Sequence, residues 1–472
     1  MYDYRMLIDG ARVEGEAGHF DIINPASGVA FAQCGAGSIA QLDQAVEAAQ
    51  RAFGEWRLSS HAQRSACLQR IADDLEHEAD ALARLIVAEQ GKPLALAMSE
   101  VMGGVAWTRY AAGQEIPVEL VEENPSQRVE LHRKPLGVVA SITPWNWPFM
   151  IAIWHIMPAL RAGNCVVSKP SSLTPLSTLA LVEIIARHVP RGVINVITGE
   201  RGFGSAISSH PGIHKIVFTG STATGQRVMQ AAAGNLKRLT LELGGNDAAI
   251  VLPGTAVQEV VEDIFQAAFL NMGQTCAALK RLYVHESQVE AFGEALASIA
   301  RRQVIGDGLQ PEVTFGPVQN LEQLQLVAEL VDDARRQGGR VLCGGERLAQ
   351  PGYFYPPTIV TGVHDGQRLV DEEQFGPVLP VIAYRDVEEV LQRANHSDMG
   401  LGGSVWGSDP DQAQALASRL ESGVAWVNCH AQIQPNTPFG GCKLSGFGVE
   451  FGLEGLLEFT TQQLLYVRKP KG

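Results

Sequence analysis

The spacing of apolar residues along the chain predicts alternating helices and strands. Asp9-Gly10 separates two short apolar runs, which is a hairpin signal, and residues 38–112 then repeat apolar positions at helical spacing. In residues 136–244 short apolar runs such as "NCVVSKP" and "KIVFTGS" alternate with helical segments. This alternation predicts a parallel sheet with helices packed on its faces.

A second series of the same kind follows Gly245. Its apolar runs are "AAIVL", "KRLYV", "RVLCGG", "PVLPVIAY" and "VAWVN". A helix is expected to open at Thr255, capped by a T-x-x-Q box that ends at Gln258. The series predicts a second α/β domain, and the tail "EFTTQQLLYVRKP" predicts a strand that pairs with another subunit or with the extended segment 128–131.

Composition narrows the class of protein. A chain of 472 residues exceeds the usual size of one domain, and its 46% hydrophobic and 19% charged residues are typical of a soluble globular protein. The formal net charge of -14 disfavours nucleic acid as a partner. With no signal peptide and no apolar run long enough to span a bilayer, we expect a cytoplasmic protein without a membrane partner.

The seven cysteines are scattered and form no C-x-x-C pair, so the sequence predicts neither a disulfide framework nor a metal site. Cys276, in "GQTCAALKR", stands between a predicted helix and a predicted strand. An isolated cysteine is more often a small buried apolar residue than a nucleophile. The end of an element is nevertheless a position from which a side chain reaches a cleft, and backbone N–H groups there favour a thiolate.

Three further stretches hold candidate chemistry. Glu242 ends the apolar strand of "TLELGGN" and is either a base at a strand mouth or an edge residue in a salt bridge. Asn146, in "PWNWP", is either an oxyanion donor or a turn-capping amide. In "IVFTGSTATGQRVM" a strand passes through Gly220 and Ser221 into a helix whose free N–H groups suit a phosphate, although an ordinary strand-turn-helix corner explains the pattern equally well.

The stretches "PWNWP", "TLELGGN", "GQTCAALKR" and "EEQFGPVLPV" occur in this order, and with them the chain resembles the aldehyde dehydrogenase superfamily along essentially its full length. The resemblance implies two doubly wound α/β domains, cofactor-binding and catalytic, and a small β element for oligomerisation into a homodimer or homotetramer. The implied segments are 1–116 and 136–244 for cofactor binding, 245–445 for the catalytic thiol, and 117–135 and 456–472 for oligomerisation.

The resemblance also implies a reaction. Cys276 would attack the carbon of a small-molecule aldehyde, and the Asn146 amide with the Cys276 backbone N–H would hold the oxyanion. Hydride would pass to NAD(P)+, and Glu242 would activate water to hydrolyse the thioester. Glu450 resembles a second glutamate that relays protons, and His155 stands where many relatives have lysine.

The cofactor is expected to be NAD or NADP. The residues implied to bind it are Ile142, Trp145, Lys169, Ser172, Gly204, Gly220, Ser221, Leu243, Glu373 and Phe375. Relatives that prefer NAD often have glutamate where Ser172 stands, and that carboxylate repels a 2′-phosphate. Because the repelling charge is missing here, we expect both cofactors to be accepted.

The implied substrate pocket contains Thr275 and three residues at the start of a predicted helix. Trp147, Met150 and Trp154 are spaced to share one face, a pattern that in isolation favours ordinary core packing. In the resembling branch that oxidises succinic semialdehyde, arginine stands at the position of Trp154. We therefore expect a neutral apolar or aromatic aldehyde, with a semialdehyde dehydrogenase, a CoA-acylating dehydrogenase and a catalytically idle scaffold as the alternatives.

Overall fold

The structure is a computed structural model that describes residues 2–200 and 202–470. Up to residue 244 its strands are β1 Met6–Ile8, β2 Ala11–Val13, β3 His19–Asn24, β4 Val29–Gly35, β5 Glu119–Glu123, β6 Gln127–Pro135, β7 Val138–Ile142, β8 Cys165–Lys169, β9 Ile194–Val196, β10 Lys215–Thr219 and β11 Arg238–Glu242. The helices of this part are α1 Ile39–Trp56, α2 His61–His77, α3 Ala79–Gln90, α4 Leu94–Gly113, α5 Pro148–Arg161, α6 Leu176–Ala186, α7 Phe203–Ser209 and α8 Thr222–Ala232, followed by a 3-10 turn at Ala233–Asn235.

Beyond residue 244 a second set of elements follows. The strands are β12 Asp247–Val251, β13 Leu279–His285, β14 Arg340–Cys343, β15 Thr358–Val363, β16 Val378–Tyr384, β17 Met399–Gly400, β18 Gly402–Trp406, β19 Val424–Val427, β20 Cys442–Lys443, β21 Gly446–Phe447 and β22 Thr460–Arg468. The helices are α9 Val257–Phe269, α10 Val289–Arg301, α11 Leu321–Arg336, α12 Arg368–Asp371, α13 Val387–Asn395, α14 Pro410–Ala417 and α15 Gly452–Leu457, with a 3-10 turn at Leu270–Gly273.

The N-terminal predictions are confirmed. Strands β1 and β2 pair antiparallel around Asp9 and Gly10, whose positive φ angles of 51° and 72° close a tight hairpin turn. Helices α1 to α4 occupy the segment with helical spacing. Ser38 and Ser60 each form a complete capping box at the start of α1 and α2.

The first sheet has the strand order β2-β1-β9-β8-β7-β10-β11-β21. Strands β9, β8, β7, β10 and β11 run parallel, whereas β1, β2 and β21 are antiparallel additions at the edges. The strand order reverses direction between β7 and β10. In open parallel sheets such a switch point, at the carboxyl ends of the strands, is where ligands bind.

The second sheet has the order β14-β15-β16-β13-β12-β18-β19 and is parallel except for β14. Alternate residues of β12 enter opposite cores: Ala248 and Ile250 pack on one face, Ala249 and Val251 on the other. This alternation follows from the two-residue period of a strand. The second α/β unit is therefore confirmed.

A third, three-stranded sheet has the order β22-β6-β5. Leu464 of β22 lies opposite Leu131 of β6, so the tail strand pairs with the extended segment of its own chain, one of the two expected partners. The outer residues Leu464, Leu465, Tyr466 and Val467 remain exposed.

The expected capping box at Thr255 is wrong. Helix α9 begins at Val257 after Ala256, which makes no side-chain cap. The Thr255 hydroxyl instead donates to the Leu252 carbonyl at 2.7 Å. A threonine that bonds locally to the preceding turn is not available to cap the helix that follows.

None of the helices in the described residues is both long and apolar enough to span a membrane.

Candidate active site

Three different elements contribute the predicted catalytic residues. Glu242 ends β11 at the carboxyl edge of the first sheet, Asn146 lies between β7 and α5, and Cys276 precedes β13 at the amino edge of the second sheet. The Asn146 side chain donates from Nδ2 to the carbonyl oxygen of Gln274 at 3.0 Å. The site therefore lies between the two sheets, and the chain must fold around both to assemble it.

The turn before Cys276 has an unusual backbone. Asn271 and Met272 adopt positive φ angles of 53° and 56°, and Gly273 follows at 71°. Non-glycine residues in this region are strained and persist only where their surroundings hold them. Asn271 is held by its side chain, which donates to the carbonyl of Gln274 at 3.3 Å, while Gln274 Nε2 donates to the Asn271 carbonyl at 3.1 Å.

The Cys276 side chain is partly accessible, whereas Cys34, Cys67 and Cys165 are buried. Burial raises the pKa of the Cys276 thiol well above its ordinary value, and the carboxylate of Glu242 raises it further. A hydrogen bond from the Ala277 backbone N–H acts in the opposite direction. The raised pKa favours the protonated thiol over the thiolate, which is the nucleophilic form.

Glu242 is a buried carboxyl group with a relative exposure of 4%. Within residues 2–200 and 202–470 neither of its carboxyl oxygens has a hydrogen-bond partner. Burial raises its pKa well above the ordinary value, and the neighbouring Glu450 carboxylate adds to the rise. A carboxyl group shifted in this way suits a general base, and the salt-bridge alternative is wrong because no cation pairs with it among the described residues.

The Asn146 peptide is fixed on two sides. Its carbonyl oxygen accepts hydrogen bonds from Lys92 Nζ at 3.0 Å and from Asn271 Nδ2 at 2.8 Å. An amide nitrogen carries two N–H donors, and in the described chain Asn146 Nδ2 uses one of them, toward Gln274. The other remains available for an oxyanion.

His155 connects Glu450 to the interior of the first sheet. Its Nδ1 lies 3.1 Å from Ser141 Oγ, and its Nε2 lies 3.0 Å from Thr219 Oγ1 and 3.3 Å from Glu450 Oε1. His155 is fully buried and Glu450 has a relative exposure of 5%. The Glu450 carboxylate also acts electrostatically on Glu242, so Glu450 and His155 lie on one side of the candidate base.

Several predicted cofactor residues meet at the carboxyl edge of the first sheet. Ile142 and Lys169 end β7 and β8, and the Gly220-Ser221 turn follows β10. Burial lowers the pKa of Lys169 to about 8. Ser221 begins α8 without a side-chain cap, so the first N–H groups of this helix are free for an anion.

Two contacts bring the second unit to this edge. The rings of Trp145 and Phe375 meet edge to face with centroids 5.3 Å apart. Glu373 Oε1 accepts the Gly245 N–H at 2.9 Å, and burial raises the Glu373 pKa to about 7. A Cβ added to Gly244 would lie 2.5 Å from Glu373 Oε2, so a larger residue there would displace this carboxylate.

The remaining cofactor candidates are placed less closely. Leu243 packs on Gly225 of α8, where an added Cβ would lie 2.5 Å from the leucine. Ser172 lies in the turn after β8 and Gly204 in the first turn of α7, and no hydrogen bond between described residues joins either of them to the others. Uncapped N–H groups, a partly buried lysine and an aromatic pair at a sheet switch point fit a dinucleotide.

An apolar cluster lies beside Cys276. Its buried members are Ala277, Leu401, Trp426, Phe439 and Phe451, and Cys276, Trp154 and Ile433 pack against it. Trp154 lies 4.8 Å from Phe451 between ring centroids, and a recess opens beside this pair, lined also by Trp107, Ile153 and Met157. Sequence spacing reveals Trp154 but not the other members, because residues far along the chain carry no helical spacing to reveal them.

The other pocket candidates lie at the start of α5. Trp147 donates its indole N–H to Thr275 Oγ1 at 3.1 Å. Met150 faces α4, where an added Cβ at Gly103 would lie 2.3 Å from the methionine. The structure also adds Trp107 of α4, whose ring lies 5.8 Å from that of Trp154.

The fold and this arrangement of residues define a two-domain α/β protein with a candidate thiol site. The model described as "Aldehyde dehydrogenase family" matches residues 13–465. A Pseudomonas protein named "Probable aldehyde dehydrogenase" is 41% identical over 456 residues, which are 96% of this chain and 92% of that protein. The chain belongs to the aldehyde dehydrogenase family.

Comparison with solved structures leads to the same family. Betaine aldehyde dehydrogenase of Staphylococcus aureus in complex with NAD+ superposes with a TM-score of 0.95 at 32% identity, covering 99% of this chain and 96% of the other. An NADP-dependent enzyme of Escherichia coli superposes with a TM-score of 0.96 at 34% identity, covering 99% and 98%. The fold is thus that of a nicotinamide-dependent aldehyde dehydrogenase, with cofactor-binding and catalytic domains and an oligomerisation element.

Proposed function

We propose that this enzyme oxidises a neutral apolar or aromatic aldehyde to the carboxylic acid with NAD(P)+, through a covalent thioester on Cys276. The observation that supports the substrate class is the apolar cluster beside Cys276. Cys276, Trp154 and Ile433 pack against a buried apolar group that includes Phe439 and Phe451. Burial of an alkyl or aryl group in a pocket of this composition contributes favourably to the free energy of substrate binding. The apolar residues offer no positive charge to pair with the carboxylate of a semialdehyde.

The first step is attack of the Cys276 sulfur on the aldehyde carbon, and the thiol, which is partly accessible, gives its proton to water as the carbon–sulfur bond forms. The free N–H of the Asn146 amide and the Cys276 backbone N–H are the donors for the oxyanion of the resulting thiohemiacetal. The contacts of the Asn146 carbonyl to Lys92 and Asn271 keep this amide oriented before the substrate arrives. When bound, the oxidised nicotinamide accepts the hydride that leaves the thiohemiacetal carbon.

The second step is hydrolysis of the thioester. Glu242 is buried without a hydrogen-bond partner in the described chain, and its raised pKa makes it a competent acceptor for a proton of the attacking water. The proton would move on to Glu450 and His155. A glutamate at this place favours water over CoA as the acyl acceptor, because relatives that transfer the acyl group to CoA lack it.

Both nicotinamide cofactors are proposed to bind. Lys169 and Ser172 lie in and just after the end of β8, where the adenosine ribose would be held. No carboxylate stands at Ser172 to repel a 2′-phosphate, and Lys169 supplies a positive charge for it. The free N–H groups at the start of α8 would hold the pyrophosphate.

We assign cofactor binding to residues 1–116 and 136–244, the thiol to 245–445, and oligomerisation to 117–135 and 456–472. The last assignment is supported by the exposed apolar residues on β5 and β22 of the three-stranded sheet, such as Leu120 and Tyr466. A surface of this kind on an edge sheet is costly to leave in water, so it is expected to pair with a second copy of the chain in a homodimer or homotetramer.

An aldehyde panel tests the proposal. Aliphatic aldehydes of increasing chain length, benzaldehyde and succinic semialdehyde are compared by kcat/KM, each with NAD+ and NADP+. We expect the apolar aldehydes to exceed succinic semialdehyde by at least about tenfold, the effect of one favourable apolar contact or more. Preference for the semialdehyde would contradict the substrate class, acceleration by CoA would contradict hydrolysis, and no turnover with any aldehyde would indicate an idle scaffold.

A further inference from the structure

Lys92, which the sequence analysis did not single out, is fully buried between α3 and α4. Its Nζ donates to Glu100 Oε2 at 2.6 Å and to the Asn146 carbonyl at 3.0 Å, and it lies 3.6 Å from the centroid of the Trp147 ring. An ammonium group carries three donors, and these three acceptors account for all of them. The geometry is that of a lysine paired with a buried carboxylate. Burial lowers the pKa of Lys92, and the Glu100 carboxylate acts against this by favouring the ammonium form.

The other oxygen of Glu100 supports the same segment. Glu100 Oε1 accepts the backbone N–H groups of Phe149 and Met150, both at 3.1 Å, in the first turn of α5. The Lys92–Glu100 pair thus touches the chain at four nearly consecutive residues, from Asn146 to Met150. It holds the carbonyl, the ring and the helix start as one rigid unit.

This unit contains the two residues that face the reaction from the α5 side. The Asn146 carbonyl accepts hydrogen bonds from Lys92 and from Asn271, and these two bonds fix the orientation of the peptide. The orientation of the peptide in turn sets the direction of the Asn146 side-chain amide. Trp147 is held on its face by the ammonium group and on its edge by Thr275. Since oxyanion donors act through preorganised geometry, a shift of this peptide weakens the donor without changing any group that touches the substrate.

We propose that Lys92 is a positioning residue of the dehydrogenase reaction, which acts by holding the Asn146–Trp147 peptide so that the Asn146 amide faces the oxyanion. The proposal rests on the role given to Asn146 under the proposed function. Lys92 is then needed for the rate of the reaction as well as for the stability of the fold.

Two variants separate positioning from folding. Lys92→Met leaves the Glu100 carboxylate buried and unpaired, which is strongly destabilising. The double variant Lys92→Met/Glu100→Gln removes both charges and keeps an oxygen that accepts the N–H groups of α5. We expect the double variant to regain thermal stability relative to Lys92→Met, and to retain a loss in kcat/KM of about a hundredfold, as expected for a misplaced catalytic group.

A double-mutant cycle with Asn146→Ala identifies the path of the effect. Acetaldehyde is the substrate, because it is too small to report on the Trp147 wall. If Lys92 acts through Asn146, the loss in kcat/KM caused by Lys92→Met/Glu100→Gln shrinks to less than about threefold in the Asn146→Ala background. Lys215→Met is the matched control, since Lys215 is also fully buried and bonds instead to Thr240 and Glu458. Its effect is expected to be the same in both backgrounds.

The rate of Cys276 alkylation by iodoacetamide completes the test. It is expected to change less than about threefold in the double variant, because the thiol and its neighbours are not altered. Recovery of both stability and kcat/KM in the double variant, or equal losses in the two backgrounds, would overturn the role of Lys92 and leave that of Asn146 intact. Unchanged kcat/KM in Asn146→Ala alone would overturn the role of Asn146 and, with it, the positioning proposal.

Discussion

The indole N–H of Trp147 donates to Thr275 Oγ1 at 3.1 Å, which ties the wall of the pocket to the residue immediately before Cys276. Thr275 in turn donates to the Leu270 carbonyl at 3.3 Å, at the start of the strained turn. The pocket wall and the nucleophile turn are thereby fixed to each other. Loss of this hydrogen bond should therefore change the KM for bulky aldehydes, which must fit beside the sulfur.

Thr275→Val tests this link. The valine keeps the volume of threonine and removes the acceptor, so the Trp147 N–H loses its partner at a cost of about 1–3 kcal/mol. We expect KM for benzaldehyde to rise about fivefold or more, while KM for acetaldehyde changes little. Thr275→Ser retains the hydroxyl and is expected to keep the wild-type ratio between the two aldehydes; equal effects of both variants would show that the hydrogen bond does not shape the pocket.

Glu242 should make folding stability depend on pH. Its pKa is raised above the unfolded value of 4.5, so the stability it contributes is fully present below about pH 4.5 and is lost as pH rises through the folded pKa. Glu242→Gln removes a buried group that must ionise without a partner. We expect the variant to melt higher than wild type at about pH 8, by on the order of 1–3 °C, and the gain to shrink at about pH 5.

The exposed Glu312 provides the matched control for this measurement. Glu312→Gln removes the same charge at the surface and is expected to leave the melting temperature unchanged at both pH values. Thermal melts of the three proteins across the pH range are sufficient. A Glu242→Gln protein that is less stable than wild type at high pH would show that the carboxylate has a stabilising partner.

Ser172→Glu should change the choice of cofactor. A carboxylate in the turn after Lys169 accepts hydrogen bonds from ribose hydroxyls and repels a 2′-phosphate. We expect kcat/KM with NADP+ to fall at least about tenfold, which corresponds to about 1.4 kcal/mol of repulsion, while NAD+ is retained or improved. Ser171→Glu, one position earlier, serves as a control for added negative charge; failure of the wild-type enzyme to turn over NADP+ would refute the dual specificity.

The His155 contact to Glu450 predicts an effect on turnover. Replacing His155 with glutamine keeps a polar side chain among Ser141, Thr219 and Glu450 and removes the imidazole ring. We expect kcat to fall about tenfold, because a ring that passes protons away from the candidate base is lost. His430→Gln is the comparison, because His430 is also buried and bonded to a serine, Ser404; an unchanged kcat in His155→Gln would exclude the relay.

Local patterns predicted those parts of the site that begin or end an element. The ends of β8 and β11, with Lys169 and Glu242, and the corner at Ser221 lie where the sequence places them, because strand-turn-helix transitions have strong local signals. Pattern also identified the tail strand and one of its two possible partners, segment 128–131. The T-x-x-Q pattern of Thr255 and Gln258 did not predict the helix cap correctly. The Thr255 hydroxyl donates a hydrogen bond to the Leu252 carbonyl and is not available to cap α9.

The missed residues depend on long-range packing. Lys92 contacts Asn146 across 54 positions of sequence and lies in an apolar environment where a lysine is expected only if it is paired. Phe439 and Phe451 belong to the apolar cluster that Cys276 packs against, and both come from late in the chain. Nothing local marks such residues, because their roles arise only when the two sheets come together.

Cys276 is expected to carry the acyl group during turnover. In Glu242→Gln, hydrolysis is slowed while hydride transfer continues, so mixing with benzaldehyde and NAD+ followed by rapid acid quench should trap the thioester. Mass spectrometry of the digested protein is expected to show a benzoyl group on the peptide that contains Cys276, formed with one equivalent of NADH. NADH formation without this adduct, or an adduct on another of the seven cysteines, would contradict the account.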